Sequence, residues 1–166
     1  MAELRLENVS KRFGGLLAVN NLDLNVPRGK ILSLIGPNGA GKTTVFNMIT
    51  GVYPPTEGNI SYGDHKLNGL RSNRIIARGI ARTFQNIRLF KSMTVLENVQ
   101  VGMHCRTQSG PVRALLKTAF EKREEKEIVA KSLELLDFIG LLGHQNDYAS
   151  NLPYGEQRRL EIARAL

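Results

Sequence analysis

Residues Gly36-Pro-Asn-Gly-Ala-Gly-Lys-Thr-Thr44 constrain this chain more than any other stretch. They fit the pattern G-x-x-x-x-G-K-[ST]. Before them, Lys30-Ile-Leu-Ser-Leu-Ile35 is a short apolar run that reads as a buried strand. After them, residues 43–50 read as a helix stopped by Gly51. Strand, glycine loop and helix, in that order, is the setting in which the pattern binds phosphate. Gly36, Gly39 and Gly41 permit backbone angles that other residues resist, and they let the chain approach a ligand closely. Successive N–H groups of such a loop point into one concavity. The helix beginning near Gly41 adds unpaired N–H groups and the positive end of its dipole. Lys42 supplies a mobile charge for the outer phosphates, and Thr43 a hydroxyl for Mg²⁺.

A length of 166 residues suits one domain with a real core. Hydrophobic residues at 42% and charged residues at 23% are ordinary for a globular protein. No apolar run reaches the length of a membrane span, and the charged, alternating start is unlike a signal peptide, so a cytosolic protein is expected. The single Cys105 excludes an internal disulfide, and with His104 alone beside it no zinc set forms. The net charge of +8 suits an acidic partner such as nucleotide phosphates or a membrane surface. The charges are dispersed and no stacking platform is interleaved with them, which argues against nucleic acid.

Taken in order, residues 4–9 and 22–26 alternate as half-buried strands, with Phe13 between them. They suggest an antiparallel subsheet beside a parallel core. Phe13 can stack on a base or serve ordinary packing. Residues 59–62 read as a further strand, and residues 72–78 as a helix capped by Ser72 and ended by Gly79. Residues 80–84 then suit a strand, with Gln85 at its carboxyl end, where ligands of open α/β sheets sit. Thr94 and Glu97 have capping-box spacing. Thr107–Pro111 is a break, and the charge run 121–127 is a solvated helix face. Val129, Leu133 and Leu136, flanked by Ile128, Leu135 and Ile139, form an apolar stripe. In the last helix Leu160, Ala163 and Leu166 share one side, and Gly155 marks a second helix N-terminus able to face an anion.

Phe13, the 36–44 loop, Gln85 and Leu152-Pro-Tyr-Gly-Glu-Gln157 before an Arg-rich helix together resemble the nucleotide-binding subunit of ABC transporters, over the whole length. Arg12–Asn20, Ala81–Phe90 and Leu152–Ala163 look like the branched-chain amino acid importer ATPase within that family. The resemblance implies an α/β P-loop NTPase core with an N-terminal antiparallel β-subdomain and an inserted helical subdomain. Residues 1–86 would form core and β-subdomain, 87–157 the helical subdomain and 158–166 the signature helix. ATP and Mg²⁺ would be the cofactors. Phe13 would stack on adenine, where many members carry tyrosine. Gly36, Asn38, Gly39, Ala40, Gly41, Lys42, Thr43 and Thr44 would hold the phosphates. Thr43 and Gln85 would attend Mg²⁺, with Gln85 also sensing the attacking water. Leu152, Pro153, Tyr154, Gly155, Glu156 and Gln157 would be the signature motif. That motif completes the ATP site of a second ABC ATPase subunit, a paralogue, in a head-to-tail dimer. Transmembrane permease subunits would be the other partners, and the chain would lie peripherally on the cytoplasmic side of the membrane.

Two departures from the family pattern carry expectations. Pro153 replaces the usual signature serine and Tyr154 the first glycine, so Pro153 offers neither hydroxyl nor N–H. The Gly155 backbone and its helix are expected to carry the remaining stabilisation. Second, the family's Walker B aspartate, catalytic glutamate and switch histidine would follow beyond Leu166. The 166 residues alone are therefore expected to leave apolar sheet edges open and not to hydrolyse ATP. A non-transport ABC ATPase and an inactive nucleotide-binding fragment remain alternatives. A GTPase does not fit, because no N-K-x-D base-reading motif is present, and Asp137-Phe-Ile-Gly140 falls at the end of a helical stripe.

Overall fold

The computed structural model describes residues 3–104 and 119–166. Two compact units divide the chain, Met1–Ile80 and Ala81–Leu166. The break expected at Thr107–Pro111 and the lone Cys105 lie outside the described residues.

The first unit is built on an antiparallel sheet of order β2-β1-β3-β4. Its strands are β1 (Leu4–Phe13), β2 (Leu16–Val26), β3 (Glu57–Tyr62) and β4 (His65–Lys66). Alternation sets the register. Leu6 lies opposite Leu24 on one side and Ile60 on the other, so apolar side chains gather on one face. The β1–β2 register shifts between Leu6 and Val9 and again further along. Asn8 and Asn21 take positive φ (50° and 43°), a conformation asparagine tolerates better than most residues. Each is pinned by a side chain: the Asn8 N–H donates to Asp23 Oδ1 at 2.7 Å, and the Asn21 N–H to Ser10 Oγ at 2.9 Å.

Helix α1 (Lys42–Ile49) closes that face. Val45, Met48 and Ile49 recur at helical spacing and are buried with Leu6, Val9, Val19 and Ile60. Gly51, at φ 70°, follows the helix as expected. Helix α2 (Ser72–Ile76) needs a correction. Ser72 is its first helical residue and makes no cap; Arg71 holds the cap position without a side-chain bond.

The antiparallel subsheet matches expectation, and β1 and β2 are both longer than their alternation alone suggests. The buried strand expected at 30–35 and the strand expected at 80–84 do not form. Among the described residues neither run has a ladder partner. Ile31 and Ile35 stay 99% and 90% exposed. A central strand is made by neighbours on both edges, and apolar sequence alone does not supply them.

The second unit is helical. It contains α3 (Val95–His104), α4 (Ala119–Phe138), two 3₁₀ turns (Leu142–His144 and Ala149–Asn151) and α5 (Tyr154–Ala165). The capping box forms as read: the Glu97 N–H donates to Thr94 Oγ1 at 3.1 Å, and the Thr94 N–H donates to Glu97 Oε2 at 2.7 Å. Val95, Val99, Leu136, Leu141, Leu152, Leu160 and Ala163 make the core. On α4 the fully buried line is Ile128, Ser132 and Leu136, with Val129, Leu133, Leu135 and Ile139 half-buried beside it. Leu166, expected with Leu160 and Ala163, is exposed at the end of α5. Gly102 lets α3 approach α5 closely, since a Cβ there would overlap the Arg164 carbonyl.

Asn98 is fully buried and organises the entry to α3. Its side chain accepts the Phe90 N–H at 2.9 Å and donates to the carbonyls of Phe90 (3.0 Å) and Thr94 (2.9 Å). Asn98→Ala strands the Phe90 groups, so the unit should lose roughly 2–3 kcal/mol. A shift of the urea midpoint of the protein measures this; an unchanged midpoint would refute it.

Candidate nucleotide-phosphate site

The loop 36–41 runs from the unpaired 30–35 segment into α1. Gly39 and Gly41 take φ of 85° and 81°, and Gly41 is the helix N-cap. Gly41 also lies hard against β2: a Cβ there would overlap the Ala18 carbonyl. Glycine is thus required at this position twice, by backbone angle and by space. Within the loop the Ala40 N–H turns back to the Pro37 carbonyl at 3.3 Å.

The N-terminus of α1 has no side-chain cap and no acidic residue in its first turn. Its leading N–H groups therefore face no competing carboxylate from the helix itself. Lys42 Nζ lies over the loop and donates to the carbonyls of Gly36 (2.6 Å) and Pro37 (2.7 Å). Thr43 is exposed beside it and Thr44 half-buried. Gly36, Asn38, Gly39, Ala40, Gly41, Lys42, Thr43 and Thr44 lie along one contiguous loop and helix start, with Lys42 the one cation over it.

Phe13 ends β1 and is 43% exposed. Its ring meets Tyr53 edge-on at 5.2 Å, and Lys11 Nζ lies 5.1 Å and 4.9 Å from the two ring centres. Lys11 also donates to the Pro54 carbonyl at 2.7 Å, which holds it there. Tyr53 and Lys11 carried no motif signal, because their pairing with Phe13 depends on the fold.

The remaining candidates lie in the second unit. Gln85 sits at an exposed bend. Leu152 is buried and anchors the start of α5, while Pro153 is the N-cap with no side-chain bond. Tyr154 is 70% exposed, and Gly155 opens to free space. Gln157 folds back and donates from Nε2 to the Leu152 carbonyl at 2.8 Å. Glu156, in the first turn, accepts from Arg159 Nη2 at 3.3 Å, which offsets its charge near the helix end.

Sequence reasoning missed Glu161, which is 2% exposed on α5. It accepts the Phe84 N–H at 3.2 Å and Arg158 Nη1 at 2.7 Å, and Arg158 Nη1 also donates to the Phe84 carbonyl. Burial lowers the Arg164 guanidinium below its ordinary value, while the Glu161 charge acts the other way.

No three His, Cys, Asp or Glu side chains among the described residues are grouped to hold a metal by themselves. Mg²⁺ at phosphates needs only one or two protein oxygens, and the exposed Thr43 hydroxyl at the head of α1 fits that demand.

Several known proteins are similar to this chain. The family model described as ABC transporter matches residues 19–166. The high-affinity branched-chain amino acid transport ATP-binding protein LivG of Escherichia coli is 51% identical over 163 residues, 98% of this chain. The chain spans 64% of that relative's length. A crystal structure of the ADP conformation of an ATP-binding cassette of an ABC transporter superposes with a TM-score of 0.83 at 35% identity, covering 100% of this chain and 65% of that one. A dimeric cassette in a post-hydrolysis state, bound to ADP and Pi, gives 0.75 at 29% identity, covering 98% of this chain and 68% of that one.

Proposed function

The chain belongs to the ABC transporter family, and from that premise we propose that it is the ATP-binding subunit of an importer for branched-chain amino acids. The observation that carries the solute class is 51% identity to LivG across 98% of the chain. ATP binding and hydrolysis would be coupled to uptake through transmembrane permease subunits, with the protein peripheral on the cytoplasmic side. No helix among the described residues is long and apolar enough to cross a membrane, which suits a subunit that relies on others to do so.

In this reading residues 1–86 carry the ATP core and β-subdomain, 87–157 the helical subdomain and 158–166 the signature helix. Lys42 and the N–H groups of residues 36–44 bind the phosphates. Phe13 stacks on adenine, its ring held by Tyr53 and Lys11. Thr43 and Gln85 would hold Mg²⁺, which when bound would supply charge neutralisation to the phosphates. Segment 152–157 serves the ATP of a second, paralogous subunit in a head-to-tail dimer, and nucleic acid is no partner. The 166 residues by themselves bind nucleotide without steady turnover, because none of them fills the role of general base.

Deleting the gene and restoring it tests the reading. Wild-type protein should restore ATP-dependent leucine uptake, and the permease subunits should co-purify with it. Normal leucine uptake in the deletion strain, or co-purification with ribosomes or DNA-repair proteins in place of a permease, would show a non-transport ATPase.

A further inference from the structure

Glu161 is costly where it stands. It is 2% exposed, beside Leu160 and Ala163, on a helix face where an apolar residue would serve packing better. What it holds is backbone. Oε1 accepts the Phe84 N–H at 3.2 Å, and Oε2 accepts Arg158 Nη1 at 2.7 Å. Arg158 in turn donates to the Phe84 carbonyl. Both polar backbone groups of Phe84 are therefore satisfied by side chains of α5, 77 and 74 residues further along the chain. Among the described residues, 81–84 belong to no strand. The Phe84 ring adds contacts of its own, with the Arg82 and Arg88 guanidiniums 5.3 Å and 4.7 Å from its centre. The next residue is Gln85.

We propose that the Glu161–Arg158 pair is a positioning device for Gln85: it ties the backbone before Gln85 to the helix that begins at segment 152–157, so that Gln85 and that segment move as one body. In this proposal both side chains act through the Phe84 backbone. This inference rests on the reading of Gln85 as the residue that attends Mg²⁺ and the attacking water. It adds a physical link between the residue serving the chain's own ATP and the segment serving its partner's.

The test uses the full-length cassette assembled with its permease subunits. Glu161→Ala removes the clamp. Glu161→Gln keeps the volume and an acceptor for the Phe84 N–H. Arg158→Lys keeps the charge and shortens the fork, so it stands in where Glu161→Ala fails to assemble. Hydrogen exchange of peptides spanning Phe84 and Gln85 reads the clamp directly. It should accelerate about tenfold or more in Glu161→Ala and less in Glu161→Gln. With Glu161→Ala, kcat should fall by about tenfold and half-saturating Mg²⁺ should rise several-fold, while KM for ATP stays within about twofold. Merely structural damage would raise KM for ATP as kcat falls, and that result overturns the proposal. Unchanged exchange at Phe84 overturns it, and so does faster exchange with unchanged kcat and Mg²⁺ dependence. A wild-type assembly that does not hydrolyse ATP, while Glu161→Ala still accelerates exchange, would leave the clamp standing and place the failure in the functional reading.

Discussion

Lys42→Ala in the full-length cassette should lower ATP turnover by on the order of 10³-fold while moving thermal stability little. The two halves of that expectation come from different facts. Lys42 is the one side-chain cation in the loop, and its Nζ already lies at the loop mouth, 2.6 Å and 2.7 Å from the Gly36 and Pro37 carbonyls. The transition state of phosphoryl transfer spreads charge over the outer phosphate, so a fixed cation there acts where charge is handled. The carbonyls released by the substitution are exposed and return to water, at a cost of about 1 kcal/mol or less. Lys42→Arg should rescue poorly. The planar guanidinium is larger than an ammonium and cannot take its place as a point charge inside a tight loop. Calorimetric titration with Mg·ATP and a turnover assay decide the matter. Affinity and turnover within about twofold of wild type would mean that the loop's N–H groups suffice without Lys42.

What was legible in the sequence was local. Loop 36–44 is contiguous, Gly39 and Gly41 are dictated by backbone angle, and α1 follows from spacing and Gly51. The Thr94–Glu97 box is likewise a four-residue pattern, and it forms with both bonds made. What failed was tertiary. Residues 30–35 and 80–84 have strand composition, but a strand exists only where another backbone answers it. Glu161 was invisible for the same reason. A glutamate three residues after an arginine on a helix reads as a solvated i,i+3 pair. Its actual partner, the Phe84 backbone, is far off in sequence. Ser132 on α4, which no pattern singled out, is fully buried and its Oγ donates to the Met103 sulfur at 3.5 Å. Leu166 fits the stripe of α5 by spacing, yet it is exposed.

The second large effect separates stability from function at Gly155. Gly155→Val should leave folding intact and still abolish turnover in the assembled dimer, by on the order of 10³-fold. A Cβ at this position would meet nothing within 4 Å, and the glycine does not need a left-handed φ. Replacing glycine within a helix by alanine favours the helix by roughly 0.5–1 kcal/mol, so Gly155→Ala should unfold no earlier than wild type. In the proposed dimer the open space above Gly155 is where the partner's γ-phosphate must come. A branched side chain there blocks the approach of the phosphate to the first N–H groups of α5. The neighbouring residues cannot make up the loss. Pro153 has no donor, and the Glu156 and Gln157 N–H groups are already committed to the Pro153 carbonyl at 2.9 Å and 3.0 Å. The same logic fixes the outcome for Pro153→Ser. If the Gly155 backbone and the helix dipole carry the contact, a new hydroxyl should change turnover by less than about threefold. A large gain would show instead that the site is starved of a side-chain donor and that Gly155 is not its principal support. Full turnover in Gly155→Val would remove α5 from the partner's ATP site altogether.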